Sequence, residues 1–333
     1  MEQPTLKNLE EVKKNFNVSH KRISSVKDAI NNLVFGQDKV IDQILISILS
    51  EGHALIIGLP GLAKTRIVNL LSSIVGLETK RVQFTPDLMP SDILGSEILE
   101  DNAKLSKSFK FIKGPVFSQL LLADEINRAS PRTQSALLQA MEEKRVTIAG
   151  LNHDLPKPFH VLATQNPIDQ EGTYPLPEAQ LDRFLMSIKI TYPDQIAERK
   201  ILNLSHEKND LPNNILSSDE LLKIQSLIKE MPVGEKVIQY ILNIIKNSRP
   251  ETSEVLSVKN NVLWGPSPRA SLALMSTCRS KAFIENRHSP SIFDVQSLIK
   301  PILSHRLNLN ISAKAEGVEI NDILDDIINH LKG

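Results

Sequence analysis

The run Gly58-Leu59-Pro60-Gly61-Leu62-Ala63-Lys64-Thr65 follows directly on the apolar residues Ala54-Leu55-Ile56-Ile57. Apolar residues, a glycine-containing turn and then Lys-Thr read as a strand, a tight turn and a helix opening on Lys64. Such a turn aims backbone N–H groups at one point, and the free N–H groups and dipole of the helix start add to the pull on an anion. A cation at a helix start is disfavoured unless an anion faces it. Lys64 in that place therefore argues for a phosphate. The spacing fits G-x-x-x-x-G-K-[ST], where the lysine gives a point charge to the β- and γ-phosphates and the hydroxyl ligates Mg²⁺. Lys64 and Thr65 take those places. Ala63 stands where the pattern has its last glycine, which suits helical dihedrals and not a positive φ.

A phosphate cradle implies a nucleotide, not its hydrolysis. The run Leu120-Leu121-Leu122-Ala123-Asp124-Glu125 adds what hydrolysis needs: an apolar strand ending in two acids. Ligands of doubly wound sheets sit at that carboxyl edge. Asp124 is expected to hold Mg²⁺ through its water shell, since Mg²⁺ takes oxygen ligands and keeps several waters. Glu125 is expected to orient or activate the attacking water as a general base. In Ala163-Thr164-Gln165-Asn166-Pro167, Asn166 sits at another strand end, where an uncharged amide can hold that water. Two arginines complete the set. Arg183 lies just before a strand in Leu181-Asp182-Arg183-Phe184, and Arg269 lies in the first turn of a helix capped by Ser267. A guanidinium fork suits γ-phosphate oxygens in phosphoryl transfer.

Periodicity sets these residues in an α/β framework. Ile23, Val26, Ile30 and Leu33 predict a helix with Ser19 as a cap, and Val40, Ile41, Ile44, Leu45, Ile48 and Leu49 a second. Strands are expected at Leu55–Ile57, Arg81–Phe84, Leu120–Ala123, Phe159–Thr164 and Phe184–Ile190. Helices lie between them: one carries Ile67, Val68, Leu71 and Ile74, another starts at Ser130-Pro131. That alternation predicts a parallel sheet with right-handed crossovers. Thr85–Phe117 reads as an insertion with short strands, and Val146–Ala149 with Gly150 as a hairpin. Past Tyr192-Pro193 only helical spacing is found, from the capping box Ser217-x-x-Glu220 to Ile320–Leu331. The chain is thus expected to divide into residues 1–192, an α/β core with N-terminal helices, and 193–333, a helical unit.

Composition narrows the classes further. The 333 residues contain 39 basic and 39 acidic side chains, a balance that argues against a dedicated nucleic-acid binder. The single cysteine, Cys278, allows no intramolecular disulfide, suggests no metal site and is expected to be buried. No apolar run is long enough for a membrane span, and Met1–Asn15 is not a secretory leader, so the cytoplasm is the expected compartment.

On these residues the chain resembles an AAA+ ATPase of the MoxR family. Gly58–Thr65 is similar to Walker A in the Gly-Leu-Ala-Lys-Thr variant of that family, so Ala63 agrees with the resemblance. Leu120–Glu125 resembles Walker B, and Asn166 falls on sensor 1. Leu176–Phe184 resembles the arginine-finger segment, Gly265–Arg269 sensor 2, and His305-Arg306 a pair late in the lid. Thr85–Phe117 resembles the helix-2 insert, and Val146–Pro156 the hairpin before sensor 1. Phe35-Gly36-Gln37 resembles the motif beside the adenine. The likeness runs from about residue 20 to 331.

The resemblance implies an AAA+ P-loop core with insertions and a small all-helical C-terminal lid. It implies ATP and Mg²⁺ as cofactors. ATP would be held by Val34, Phe35, Gly36, Gly58, Leu59, Pro60, Gly61, Leu62, Ala63, Lys64, Thr65 and Arg66, and the metal by Thr65 and Asp124. Lys64, Asp124, Glu125, Asn166, Arg183 and Arg269 would be catalytic, Arg183 in trans and Arg269 in cis. A homo-oligomeric ring, a hexamer, is implied, working as a chaperone-like motor on client or adaptor proteins, some with a von Willebrand factor A domain. Maturation of such clients by metal or cofactor insertion is the implied role. The alternatives are the ATPase subunit of a metal chelatase, a nucleic-acid motor, and a switch that binds ATP without hydrolysis.

Overall fold

The computed structural model of the chain describes residues 6–59, 61–62, 64–102, 106–167, 172–203 and 215–332. Pro60 and Ala63, both expected to line the phosphate turn, lie outside the described residues. The core strands are β1 (Ala54–Ile57), β2 (Thr79–Gln83), β3 (Leu120–Asp124), β4 (His160–Gln165) and β5 (Met186–Lys189). They form one parallel sheet in the order β2-β3-β4-β1-β5. Every residue of β3 is buried, as a parallel strand covered on both faces requires. Register sets Gln83 beside Asp124, Ala123 beside Ala163 and Ile57 beside Gln165. The carboxyl ends of β1 to β4 therefore finish at one edge.

Helices cover the sheet: α1 (Leu6–Asn31), α2 (Asp38–Leu49), α3 (Lys64–Val75) and α4 (Pro131–Glu143). Ser19, expected as a cap, lies inside α1, which begins well upstream. Phe16 continues the apolar stripe by one heptad and meets Phe283 edge-on at 5.0 Å, so packing carries the helix past the local stop signal. Ser130 caps α4 through its hydroxyl, with Pro131 at the first helical position. The insertion holds a short helix, Pro90–Leu94, and an antiparallel hairpin of Gly95–Asn102 with Ser106–Lys113. A second hairpin pairs Arg145–Ile148 with Leu151–Asp154. Its Ala149 and Gly150 stand at φ 47° and 83°, the paired positive φ of a tight hairpin turn.

Beyond Pro193 the chain is helical, with α5 (Ser218–Lys229), α6 (Glu235–Asn247), α7 (Pro268–Ile284), α8 (Ile292–Leu303) and α9 (Ile320–His330). Ser217 and Glu220 form their capping box. The lid carries in addition a ribbon of Val262–Trp264 with Asn308–Leu309, too short to leave a period-two signature. One apolar cluster runs from Phe16 and Ile41 through Ile56 to Leu274, Ile299 and Leu324. The helical part is thus packed on the core across the segment leaving β5. Cys278 is buried there, and its surroundings push the thiol up to about 12. Among the described residues no helix is long and apolar enough to cross a membrane.

Candidate functional site

The turn after β1 is anchored by its apolar residues, Leu62 buried and Leu59 packed against the core. Gly61 stands at φ 84°, a conformation strained for any other residue. Gly58 is seated against Ile190, where a methyl group would come within 3.0 Å of the Ile190 carbonyl. Lys64 is the first residue of α3, and its ammonium donates to the Gly58 carbonyl oxygen at 2.7 Å. Thr65 is half-buried and Arg66 exposed.

The acids of β3 meet this turn. The Thr65 hydroxyl lies 3.5 Å from Asp124 Oδ2, and the Thr164 hydroxyl donates to Asp124 Oδ1 at 3.0 Å. Thr164 in turn accepts the Glu125 backbone N–H at 2.9 Å. Glu125 has φ 56°, a left-handed backbone uncommon outside glycine, which turns the chain sharply out of β3. Its carboxylate takes the Gln83 amide at 2.8 Å and the Arg128 guanidinium at 2.9 Å, both on Oε2. Asn166 is buried at the end of β4, and its carbonyl oxygen is 3.5 Å from the Asn127 amide. Lys64, Thr65, Asp124, Glu125 and Asn166 thus share one edge of the sheet.

Val34 is buried, and Gly36, at φ 72°, abuts Pro193 and Ala197. Gln37 donates to the Thr191 carbonyl at 2.9 Å, and Lys200 lies over the Phe35 ring at 5.6 Å. The Val34–Gln37 segment therefore sits where the helical part leaves the core.

The two arginines are elsewhere. Arg183 precedes β5, and Arg269 opens α7 beneath its Ser267 cap. Both guanidiniums reach Glu142 near the C-terminal end of α4, Arg183 at 3.1 Å. They line a cavity of about 490 Å³ with Gly52 and His53, which precede β1. That is the amino edge of the sheet, whereas the phosphate turn lies at the carboxyl edge, one strand of about 13 Å away. Arg269, expected to act in cis, is thus paired with Glu142 at the edge away from its own phosphate turn. The Ser267 hydroxyl donates to Asp182 at 2.9 Å, which holds the start of α7 beside Arg183 and away from this chain's own cradle.

The sequence reading did not single out several neighbours of these residues. Arg81 on β2 contacts Asp124 Oδ2 through Nε at 2.8 Å and through a terminal nitrogen at 2.7 Å. Gln83, Arg128, Thr164 and Glu142 are likewise new. Their signal is register: Arg81 and Gln83 lie two residues apart on β2, beside the strand that ends in the two acids.

Comparison with known proteins accords with this geometry. Residues 53–186 match the ATPase family associated with various cellular activities (AAA), and residues 256–327 match the AAA lid domain. Chaperone MoxR1 of Mycobacterium tuberculosis is 39% identical over 300 residues, covering 90% of this chain and 79% of that protein. YeaC of Bacillus subtilis, an uncharacterised protein, is 37% identical over 315 residues, 94% of this chain and 95% of its own. Protein MoxR of Paracoccus denitrificans is 26% identical over 309 residues, 87% and 90% of the two chains. A crystal structure of a protein assigned as an ATPase, from Cytophaga hutchinsonii, superposes with a TM-score of 0.89 at 38% identity, covering 96% of this chain and 97% of the other. A parallel sheet ending in a phosphate turn and paired acids, an AAA lid, and relatives of this identity over nearly the whole chain have one reading: the chain is an ATPase of the MoxR family of AAA proteins.

Proposed function

We propose that this ATPase works as a ring in which the cradle of one copy and the arginine pair of the next close on a single MgATP. The observation that carries the reading is the placement of Arg183 and Arg269 together on Glu142, at the edge away from their own cradle. Two guanidiniums on one carboxylate form an electropositive pair that a phosphate oxygen can take over from Glu142. Each chain then holds half a site at each of two edges. Copies joined head to tail complete every site and close when the rotation between them does.

Within the cradle, Lys64 would neutralise the β- and γ-phosphates, and the backbone of Gly58, Leu59, Pro60, Gly61, Leu62 and Ala63 would surround them. Val34, Phe35 and Gly36 would flank the base, and Arg66 would lie at the rim. The donor set fits magnesium: the Thr65 hydroxyl and Asp124 carboxylate are a hard-oxygen pair, with a cation already drawn to that carboxylate from Arg81. When bound, the ion neutralises charge on the triphosphate. Glu125 would take a proton from the attacking water while the Asn166 amide holds that water in line. An arginine acting in trans contributes about 10³–10⁵ in rate.

Turnover is proposed to remodel client or adaptor proteins, a chaperone role that the name of the mycobacterial relative supports. A hexamer, partners with a von Willebrand factor A domain, and metal or cofactor insertion belong to the same proposal. Glu125→Gln tests it, because it removes the base and leaves the cradle. With ATP this variant is expected to bind nucleotide, to turn over at least about 10²-fold more slowly, and to sediment as a ring that retains its protein partner. Unchanged turnover removes Glu125 from the mechanism, and a nucleotide-loaded single subunit removes the ring.

A further inference from the structure

We propose that Arg306 is a positioning residue that aims Arg183 and Arg269 together at the neighbouring subunit's nucleotide, an inference resting on the ring reading above. Arg306 is 7% exposed, and each of its five N–H groups has an acceptor. Nε donates to Asp182 Oδ1 at 2.7 Å. One terminal nitrogen donates to the carbonyls of Ile302 and Leu185, the other to those of Phe184 and, at 3.4 Å, Asp182. Three of these carbonyls belong to the residues flanking Arg183. A single guanidinium thus fixes the backbone on both sides of the first arginine. His305 Nε2 adds a bond to the same Phe184 carbonyl at 3.1 Å.

The second arginine is reached through Asp182. Its Oδ2 accepts the Ser267 hydroxyl at 2.9 Å, and that hydroxyl caps the Arg269 backbone N–H at 3.2 Å. One line of bonds, from Ile302 through Arg306 and Asp182 to Ser267, therefore ties both arginine-bearing segments to one buried cation. The two side chains issue from these segments and converge on Glu142. A planar fork of five donors can hold this many carbonyls at fixed angles, which a lysine ammonium with three donors cannot. Arg306 touches neither nucleotide nor Glu142 in this arrangement. Its effect passes through the backbone of its neighbours.

The test uses the full chain. Arg306→Lys keeps the charge and loses the fork. It is expected to lower kcat about ten- to a hundredfold, the scale of a one-ångström misplacement. KM for ATP and the affinity of a fluorescent ATP analogue should stay unchanged, because the variant's own cradle is intact. Mixed with Glu125→Gln copies, which have sound arginines and no base, it should hydrolyse ATP faster than the two variants summed separately. Arg183→Ala mixed with the same copies is the reference. Rescue of Arg183→Ala without rescue of Arg306→Lys overturns the role of Arg306 alone. Rescue of neither overturns the trans reading, and the proposal with it. If Arg306→Lys has lost analogue binding, and so its fold, Ser267→Ala carries the same test. It breaks the link from Asp182 to α7 together with the α7 cap and leaves Arg306 and its bonds around Arg183 in place, and a kcat equal to that of the unaltered chain then contradicts the proposal.

Discussion

Asp124 is the residue on which the phosphate turn, β2 and β4 converge. It is buried, yet Oδ2 receives the Thr65 hydroxyl and two nitrogens of Arg81. A divalent ion arriving with nucleotide must compete with that guanidinium. Arg81 is half exposed, so its pairing contributes about 0–1 kcal/mol. Arg81→Met is accordingly expected to reduce the Mg²⁺ concentration for half-maximal binding of a metal-dependent ATP analogue, by at most about fivefold. A requirement that stays constant or rises, followed by titration of analogue fluorescence, excludes the competition. Lys64, Thr65, Asp124 and Glu125 were legible in the sequence because their chemistry is carried by local spacing. Arg81 and Gln83 were not, because a residue on one parallel strand finds its partner through strand order and register, neither of which is written nearby. Arg269 was legible as a helix-capped arginine, while its destination depends on a tertiary bond to Asp182.

Besides the ion pairs on Glu142 and Asp182, buried histidines join the elements at the amino edge of the sheet. His53, just before β1, accepts the Val161 N–H on Nδ1 at 2.9 Å and donates from Nε2 to the Met141 carbonyl of α4. That pattern fixes the neutral ring, and burial lowers its pKa to about 3. His160 at the start of β4 bridges the Gly52 carbonyl and the Gln225 amide of α5, and burial lowers it to about 4. His305 beside Arg306 falls to about 3, first through burial and then through the adjacent guanidinium. Each folded value lies below the ordinary 6.5, so the unfolded chain binds more protons in the interval. Stability is therefore full above about pH 6.5 and falls as pH drops towards 4, with each histidine adding up to about 1.4 kcal/mol per pH unit. Urea midpoints should decline from pH 7.5 to 5, and midpoints constant over that range contradict the assignment. The strands and helices themselves were largely readable from short apolar runs, from helical spacing and from caps at Ser130, Ser217 and Ser267. The start of α1 and the lid ribbon were not, since the first is extended by Phe16 against Phe283 and the second is too short for a period.

For the molecule as a whole, the sheet carries a cluster of polar and charged side chains at each of its two edges. Its carboxyl edge gathers Lys64, Thr65, Asp124, Glu125 and Asn166, the groups proposed to hold and hydrolyse a triphosphate, and its amino edge carries Arg183 and Arg269 on a carboxylate of their own chain. In this arrangement the second set does not reach the first, and the proposed ring would bring the two together. The sequence led to the α/β core, the helical lid and the AAA resemblance. The lid's seating, which keeps Arg269 beside Arg183, depends on long-range bonds such as Asp182 with Ser267 and Arg306. The most direct test is steady-state ATP hydrolysis per subunit across a wide dilution series, with the species at each concentration defined by sedimentation. Activity per subunit is expected to collapse as oligomers give way to single chains. A rate that stays constant in a demonstrably monomeric sample contradicts completion of the site in trans.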